Sequence, residues 1–239
     1  MEISYSAEEK GKGKPLLFLH GYLSSKECFL IQTEYLSRFR RTVALDLPGF
    51  GRSPEPPFAF SLDDYVDFVY EAIGERCGGK ADIIAHSFGG RIALKLAATR
   101  PEAVDRMLLA GCAGMKPKRK LPYYAKTGVY KILRKIAPGL SVKWRDKFAS
   151  ADYLALSPVM RKSFVKIVNE HLEGYLGRIS APTLFVFGSE DKETPLYMAR
   201  RLNKNVKGSG LAVFEGCGHF CFTEDPLRFN AVAEEFFKR

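Results

Sequence analysis

The sequence predicts an α/β domain, a mostly parallel β-sheet with helices packed on both faces. Two observations carry that expectation. Short apolar runs with strand character alternate with helical runs along most of the chain. In addition, 239 residues with 46% hydrophobic content suffice for one well-buried domain with a modest insertion. Strand-like runs fall at 3–6, 16–19, 43–46, 82–85, 106–110, 184–187 and 211–214, and helical runs at 27–38, 62–76, 88–98, 195–203 and 224–238. The helix over 62–76 opens on Ser61 as an N-cap with Asp63 and Asp64 in its first turn. Its apolar positions Leu62, Val66, Val69 and Ile73 follow the spacing of one helix face, the face expected on the sheet.

One long segment breaks the rhythm. Residues 115–177 contain no strand-like run. They read as helices over 123–137, 141–155 and 158–172, interrupted at Pro138-Gly139 and Pro158. The domain reading is therefore a core of 1–114 and 178–239 with a helical insertion at 115–177.

The chemistry concentrates at Ala85-His86-Ser87-Phe88-Gly89-Gly90, between the apolar run ending at Ala85 and a helix of good helix formers. A serine at such a turn, flanked two places away by small residues, is the nucleophile-elbow pattern, here with Ala85 at the position that usually holds Gly. The turn is sharp, so large flanking side chains would collide, and the hydroxyl stands clear of the backbone. The alternative is a tight turn in which Ser87 merely caps the helix. Of the four histidines, His219 lies in a Gly-rich loop after the run 211–214, whereas His86 adjoins the serine and points away from it. Asp191 directly follows the run 183–187, with Glu190 and Glu193 as alternative acids. The chain order Ser87, Asp191, His219 suits a nucleophile, an orienting acid and a base.

With Leu19-His20-Gly21-Tyr22 after an early strand and Asp46-Leu47-Pro48-Gly49-Phe50-Gly51-Arg52-Ser53 after the next, these motifs make the chain resemble the α/β-hydrolase superfamily. The resemblance spans essentially the whole chain and implies an α/β-hydrolase fold. The family often has a hairpin before the segment at His20. Only one strand fits there in this chain, so about seven strands are expected rather than eight. The resemblance further implies Ser87, Asp191 and His219 as catalytic residues, backbone N–H groups of Tyr22 and Phe88 as the oxyanion hole, and a bracing role for His20. It also makes 115–177 a cap over the active site.

Charge is distributed unevenly. Residues 116–178 hold 15 Lys or Arg and four acids, a balance of +11 in a chain whose total is +10, which leaves −1 for the remainder. Such a basic cap suits an anionic substrate, an acidic carrier or an anionic membrane surface, or is simply a solvated helical face. No nucleic-acid-binding motif accompanies it. The five cysteines are scattered and odd in number, and Cys217 and Cys221 have no matching pair to complete a metal site. No run approaches the roughly 20 apolar residues of a membrane span. The chain opens on polar residues unlike a signal peptide, and a cytoplasmic location is expected.

The expected activity is hydrolysis of a small carboxylic ester, anionic or carrier-linked, through an acyl-enzyme and without metal or organic cofactor. Size and the basic cap are similar to those of carboxylesterases acting on carrier-bound acyl chains. Two alternatives stand beside it: hydrolysis of a carbon–carbon bond in an anionic diketone acid, and a slow ligand-binding receptor of the same fold. Serine rather than aspartate at the elbow argues against dehalogenase or epoxide-hydrolase chemistry.

Overall fold

A computed structural model describes residues 3–118 and 151–238, together with isolated positions between 128 and 140. Seven strands form one sheet: β1 (Ala7–Lys10), β2 (Pro15–Leu19), β3 (Arg41–Leu45), β4 (Ala81–His86), β5 (Val104–Ala110), β6 (Thr183–Gly188) and β7 (Gly210–Phe214), in the order β1-β3-β2-β4-β5-β6-β7. β1 runs antiparallel to β3, and the remaining pairs are parallel. The expected α/β class and strand number are observed.

Successive residues of β2 show why the central strands are apolar throughout. Leu17 and Leu19 enter one hydrophobic cluster with α2 (Leu62–Cys77) and α3 (Phe88–Thr99). Leu16 and Phe18 enter another with α1 (Leu30–Leu36) and the C-terminal helix. A strand covered on both faces needs apolar residues at every position. Helix α2 begins as expected: Ser61 and Asp64 form a capping box, and Leu62, Val66, Val69 and Ile73 are buried.

The first strand lies later than expected. The alternation of Ile3 and Tyr5 suggests a strand over 3–6, yet β1 comprises Ala7–Lys10. Tyr5 instead packs edge-on against Phe68 at 5.1 Å, and the Ser6 carbonyl accepts from Asp46 N–H at 2.9 Å. Charged Glu8, Glu9 and Lys10 suit the sheet edge, where polarity discourages further pairing. The helix expected over 224–238 is likewise divided by Pro226, which ends one short helix, Cys221–Glu224, and starts the next, Pro226–Lys238.

The insertion lies between β5 and β6. Its described helices are α4 (Ala151–Ala155) and α5 (Pro158–Asn169), the latter capped by Ser157, whose hydroxyl accepts from Met160 N–H at 3.2 Å. The helices expected over 123–137 and 141–155 fall largely outside the described residues. Two buried cations of α3 fasten α5 to the core. Arg91 Nη1 donates to the Ile167 carbonyl at 2.7 Å and to that of Glu170, at the C-terminal end of the helix. Lys95, 2% exposed, pairs with Asp63 at 2.6 Å and with Glu170. The helix that begins at Ser87 therefore also holds the insertion in place. Among the described residues no helix is long and apolar enough to cross a membrane.

Candidate active site

β4 delivers Ser87 to the carboxyl end of the sheet, where α3 begins. Ser87 has φ 48° and ψ −104°, one of two non-glycine residues with positive φ among those described. Such a backbone costs about 1–3 kcal/mol and persists only where its surroundings enforce it. Here the Ser87 N–H donates to the Ala110 carbonyl at 3.0 Å, and the Ser87 carbonyl accepts from Ala113 N–H at 3.1 Å. The Ser87 side chain makes no capping hydrogen bond to α3, so its hydroxyl is not committed to the role that the plain-turn alternative gives it. Gly89 is required by close approach: a Cβ there would lie 2.2 Å from the Leu19 carbonyl oxygen. Ala85, fully buried between β2 and β5, is accommodated where the family pattern has Gly.

Asp191 and His219 meet. His219 Nδ1 lies 2.8 Å from Asp191 Oδ2, and Asp191 Oδ1 accepts from the N–H groups of Glu193 and Thr194, both at 2.8 Å. The Thr194 hydroxyl donates to Asp191 Oδ2 at 2.7 Å and lies 3.1 Å from the Gly111 carbonyl. Burial alone would raise the Asp191 carboxyl. The hydrogen bonds from His219 and Thr194 outweigh it and hold the carboxyl below the usual carboxylate value. An ionised Asp191 places the proton of a neutral His219 on Nδ1 and leaves Nε2 as the basic nitrogen. Glu190 and Glu193 are exposed, and Glu190 contributes only its N–H, donated to the Cys217 carbonyl at 2.9 Å. The His219 ring stands over the end of β5, beside the elbow: a Cβ on Gly111, whose φ is 49°, would fall 3.0 Å from Nδ1.

His86, expected to point away from the serine, packs into the histidine loop. Its ring packs 4.6 Å from that of His219, and Nε2 lies 3.1 Å from the His219 carbonyl oxygen, which it meets as a donor. His20 braces the early loop. Its Nε2 accepts from Leu47 N–H at 3.0 Å, so Nδ1 carries the proton and donates to the Gly21 carbonyl at 2.7 Å. The Asp46–Ser53 segment is held from the same side. Asp46, fully buried, accepts from Lys26 N–H and Arg52 N–H at 2.8 and 3.0 Å and pairs with Lys26 Nζ at 2.6 Å.

Both buried imidazoles remain neutral. Burial pushes His20 down to about 4 and His86 to about 3, the latter with a further contribution from His219. An unfolded histidine protonates near 6.5. Below that value the unfolded chain binds protons that the folded one refuses, so stability falls as pH drops from about 6.5 toward 4. The depressed carboxyl of Asp191 adds to the loss at the acidic end. Urea midpoints measured from about pH 7 to about pH 4.5 are expected to decline progressively. A flat profile would mean that these imidazoles are charged in the fold.

Tyr22 follows Gly21 in the braced loop, and Leu23 after it is the second non-glycine residue with positive φ, 57°. The Tyr22 ring contacts Phe50 at 4.7 Å, Phe164 at 5.1 Å and Phe88 at 5.4 Å, and its hydroxyl donates to the Met160 carbonyl at 3.0 Å. Burial raises its phenol. The loop beside the elbow is thus stitched to α5, and an aromatic wall stands where the insertion meets the core. Phe88 is the first residue of α3, and its N–H lacks an intrahelical partner by helix geometry. No cluster of metal-ligating side chains occurs among the described residues.

A serine at a strained strand-to-helix turn, with an Asp–His pair on two neighbouring strand-end loops, places the protein in the class of α/β hydrolases. The chain belongs to the alpha/beta hydrolase family, whose model matches residues 16–232. It is 35% identical to (E)-2-((N-methylformamido)methylene)succinate hydrolase of Acinetobacter baylyi, over 95% of this chain and 91% of that protein. It is 27% identical to 2-hydroxymuconate semialdehyde hydrolase of Pseudomonas sp. strain CF600, over 98% of this chain and 90% of that one. Among solved structures it is similar to a meta-cleavage product hydrolase from Pseudomonas fluorescens IP01, with a TM-score of 0.76, 25% identity, and 99% and 94% of the two chains covered.

Proposed function

We propose that this chain hydrolyses carboxylic esters through an acyl-enzyme on Ser87. The observation that carries the reading is the hydrogen bond between His219 Nδ1 and Asp191 Oδ2, on a loop packed beside the elbow. Ser87 Oγ attacks the acyl carbon while His219 Nε2 takes its proton and then delivers it to the departing alcohol. The N–H groups of Tyr22 and Phe88 receive the oxyanion, each such donor contributing about 10²–10³ in rate. Water, deprotonated by the same imidazole, releases the acid and restores Ser87.

Relatives named for hydrolases of muconate semialdehyde, of a methylenesuccinate and of meta-cleavage products favour a second reading, carbon–carbon or related cleavage in an anionic substrate. The basic insertion agrees with an anionic substrate. Against carbon–carbon cleavage stands the wall at the elbow, where Tyr22, Phe50, Phe88 and Phe164 present rings and the nearby buried Arg91 is bound to α5 carbonyls. Such rings suit an uncharged acyl group.

The test is turnover of p-nitrophenyl esters from acetate to decanoate beside a dienoic diketone acid. Serine-dependent ester turnover with a chain-length optimum is expected, and kcat/KM for an anionic ester should fall with ionic strength more steeply than for a neutral one. Turnover of the diketone acid alone would transfer the assignment to carbon–carbon hydrolysis, and no turnover of either by folded protein would favour a receptor.

The hydrogen bond from His86 makes a separate expectation for this reaction. His86→Phe keeps an aromatic ring against Phe220 and Phe222 but removes the donor to the His219 carbonyl. An effect of about tenfold on kcat with little change in KM is expected, since one hydrogen bond contributes about 0.5–1.5 kcal/mol. An equal loss in a variant altered only in core packing, such as Phe222→Leu, would count against the positioning role.

A further inference from the structure

The outer face of α5 is organised differently from its inner face. Met160, Ser163 and Ile167 are buried toward the core, whereas Arg161, Lys162, Val165 and Lys166 face outward at the spacing of one helix side. The outer residues line a groove of about 670 Å³ together with Tyr153, Pro158 and Ala59. Three cations and no carboxylate line it, and the adjoining Glu55 is engaged by the Ser157 hydroxyl at 2.8 Å. Arg161 lies over the Tyr153 ring and donates to the Leu154 carbonyl, but its Nε is buried without a hydrogen-bond partner among the described residues. Lys166 donates to the Ala59 carbonyl at 2.6 Å, whereas exposed Lys162 has no ion pair among the described residues.

Apolar side chains project among these charges. Val165 is 46% exposed within the groove, and elsewhere on the insertion Ile132, Ile136 and Leu140 are 59%, 75% and 60% exposed. A soluble anion would satisfy the cations and leave those side chains in water. An acidic protein surface would do much the same. An anionic bilayer answers both features, attracting the cations to its headgroups and admitting the apolar side chains between them. The charge balance of +11 over 116–178 against −1 for the rest agrees with such a surface.

We propose that the α5 groove, with the exposed apolar residues of the insertion, docks this protein on the surface of an anionic lipid bilayer. The docking is independent of the reaction assigned to Ser87. Its position nevertheless bears on delivery of a substrate: Tyr153 packs at a tilt against Phe164 at 5.6 Å and Phe164 against Tyr22 at 5.1 Å, so one aromatic row separates the groove from the loop beside the elbow.

Flotation of the full chain with vesicles tests this directly. The protein should rise with vesicles of phosphatidylcholine mixed with phosphatidylglycerol and not with phosphatidylcholine alone. Lys162→Glu combined with Val165→Asp should weaken binding by roughly tenfold or more, because a charge reversal at the headgroup plane and a buried carboxylate act together. Lys207→Glu, made together with Lys204→Gln so that the net charge again changes by −3, alters only exposed residues of the core and should bind as wild type. Circular dichroism confirms that each variant is folded. The proposal is overturned by absence of binding to the anionic vesicles or by an equal loss in the combined Lys204→Gln and Lys207→Glu variant, which would reduce it to net charge. Vesicle binding that Val165→Asp alone leaves unchanged would overturn it, because no apolar side chain would then enter the bilayer, and would favour an acidic protein partner.

Discussion

Ser87→Ala is expected to lower ester hydrolysis by about 10⁴-fold or more, because attack on the acyl carbon then has no nucleophile on the protein and only binding and the oxyanion donors remain. Stability should hardly change. The serine hydroxyl makes no capping bond to α3, and Ala retains the Cβ, so the backbone strain at φ 48° is the same in both proteins. A shift within about 0.5 kcal/mol is expected from urea unfolding. Ser87→Gly separates the two properties further. It should be as inactive as the alanine variant, and more stable than it by about 1 kcal/mol, because glycine accepts positive φ without the Cβ penalty. Residual activity in Ser87→Ala above about a thousandth of wild type would remove Ser87 from the nucleophile's role. Equal stability of the two variants would mean that the turn imposes no strain.

The elbow is legible in the sequence because its demands are local and steric. A close approach of α3 to β2 excludes any side chain at Gly89, and one letter records that exclusion. The acid is legible for a related reason: the strand Thr183–Gly188 is unmistakably apolar, so the carboxylates just past its end are few. The sequence favours Asp191 over Glu190 and Glu193, and the fold turns Asp191 inward to two backbone N–H groups and leaves the others exposed. Thr194 and His86 were not found as site residues. Thr194 acts on Asp191 three residues before it, a contact that becomes visible only once the loop turns the carboxylate inward, and His86 acts through the carbonyl of His219, 133 residues away, which no local pattern encodes. The first strand was misplaced because the alternation of Ile3 and Tyr5 records burial, which an extended segment outside the sheet satisfies equally well.

Asp191→Asn should cost about 10⁴ in kcat while leaving the fold almost intact, and the hydrogen bonds dictate why. Oδ1 of Asp191 accepts two backbone N–H groups, from Glu193 and Thr194, so an asparagine must keep its carbonyl oxygen at that position. Its amide nitrogen then faces His219 Nδ1 and the Thr194 hydroxyl in place of Oδ2. A donor opposite Nδ1 forces that nitrogen to accept, and the imidazole proton moves to Nε2, which can no longer take the proton of Ser87. The Thr194 hydroxyl still has the Gly111 carbonyl at 3.1 Å as an acceptor, so no buried group is stranded and the unfolding midpoint should move little. Asp191→Ala, by contrast, abandons both backbone N–H groups as well, each at a cost of about 1–3 kcal/mol, and should lose stability together with activity. Comparing the two variants in one assay separates the tautomer from the turn. A nearly active asparagine variant would assign the orienting acid to Glu190 or Glu193, and an asparagine variant as unstable as the alanine one would show that the carboxylate charge, rather than its geometry, holds the loop.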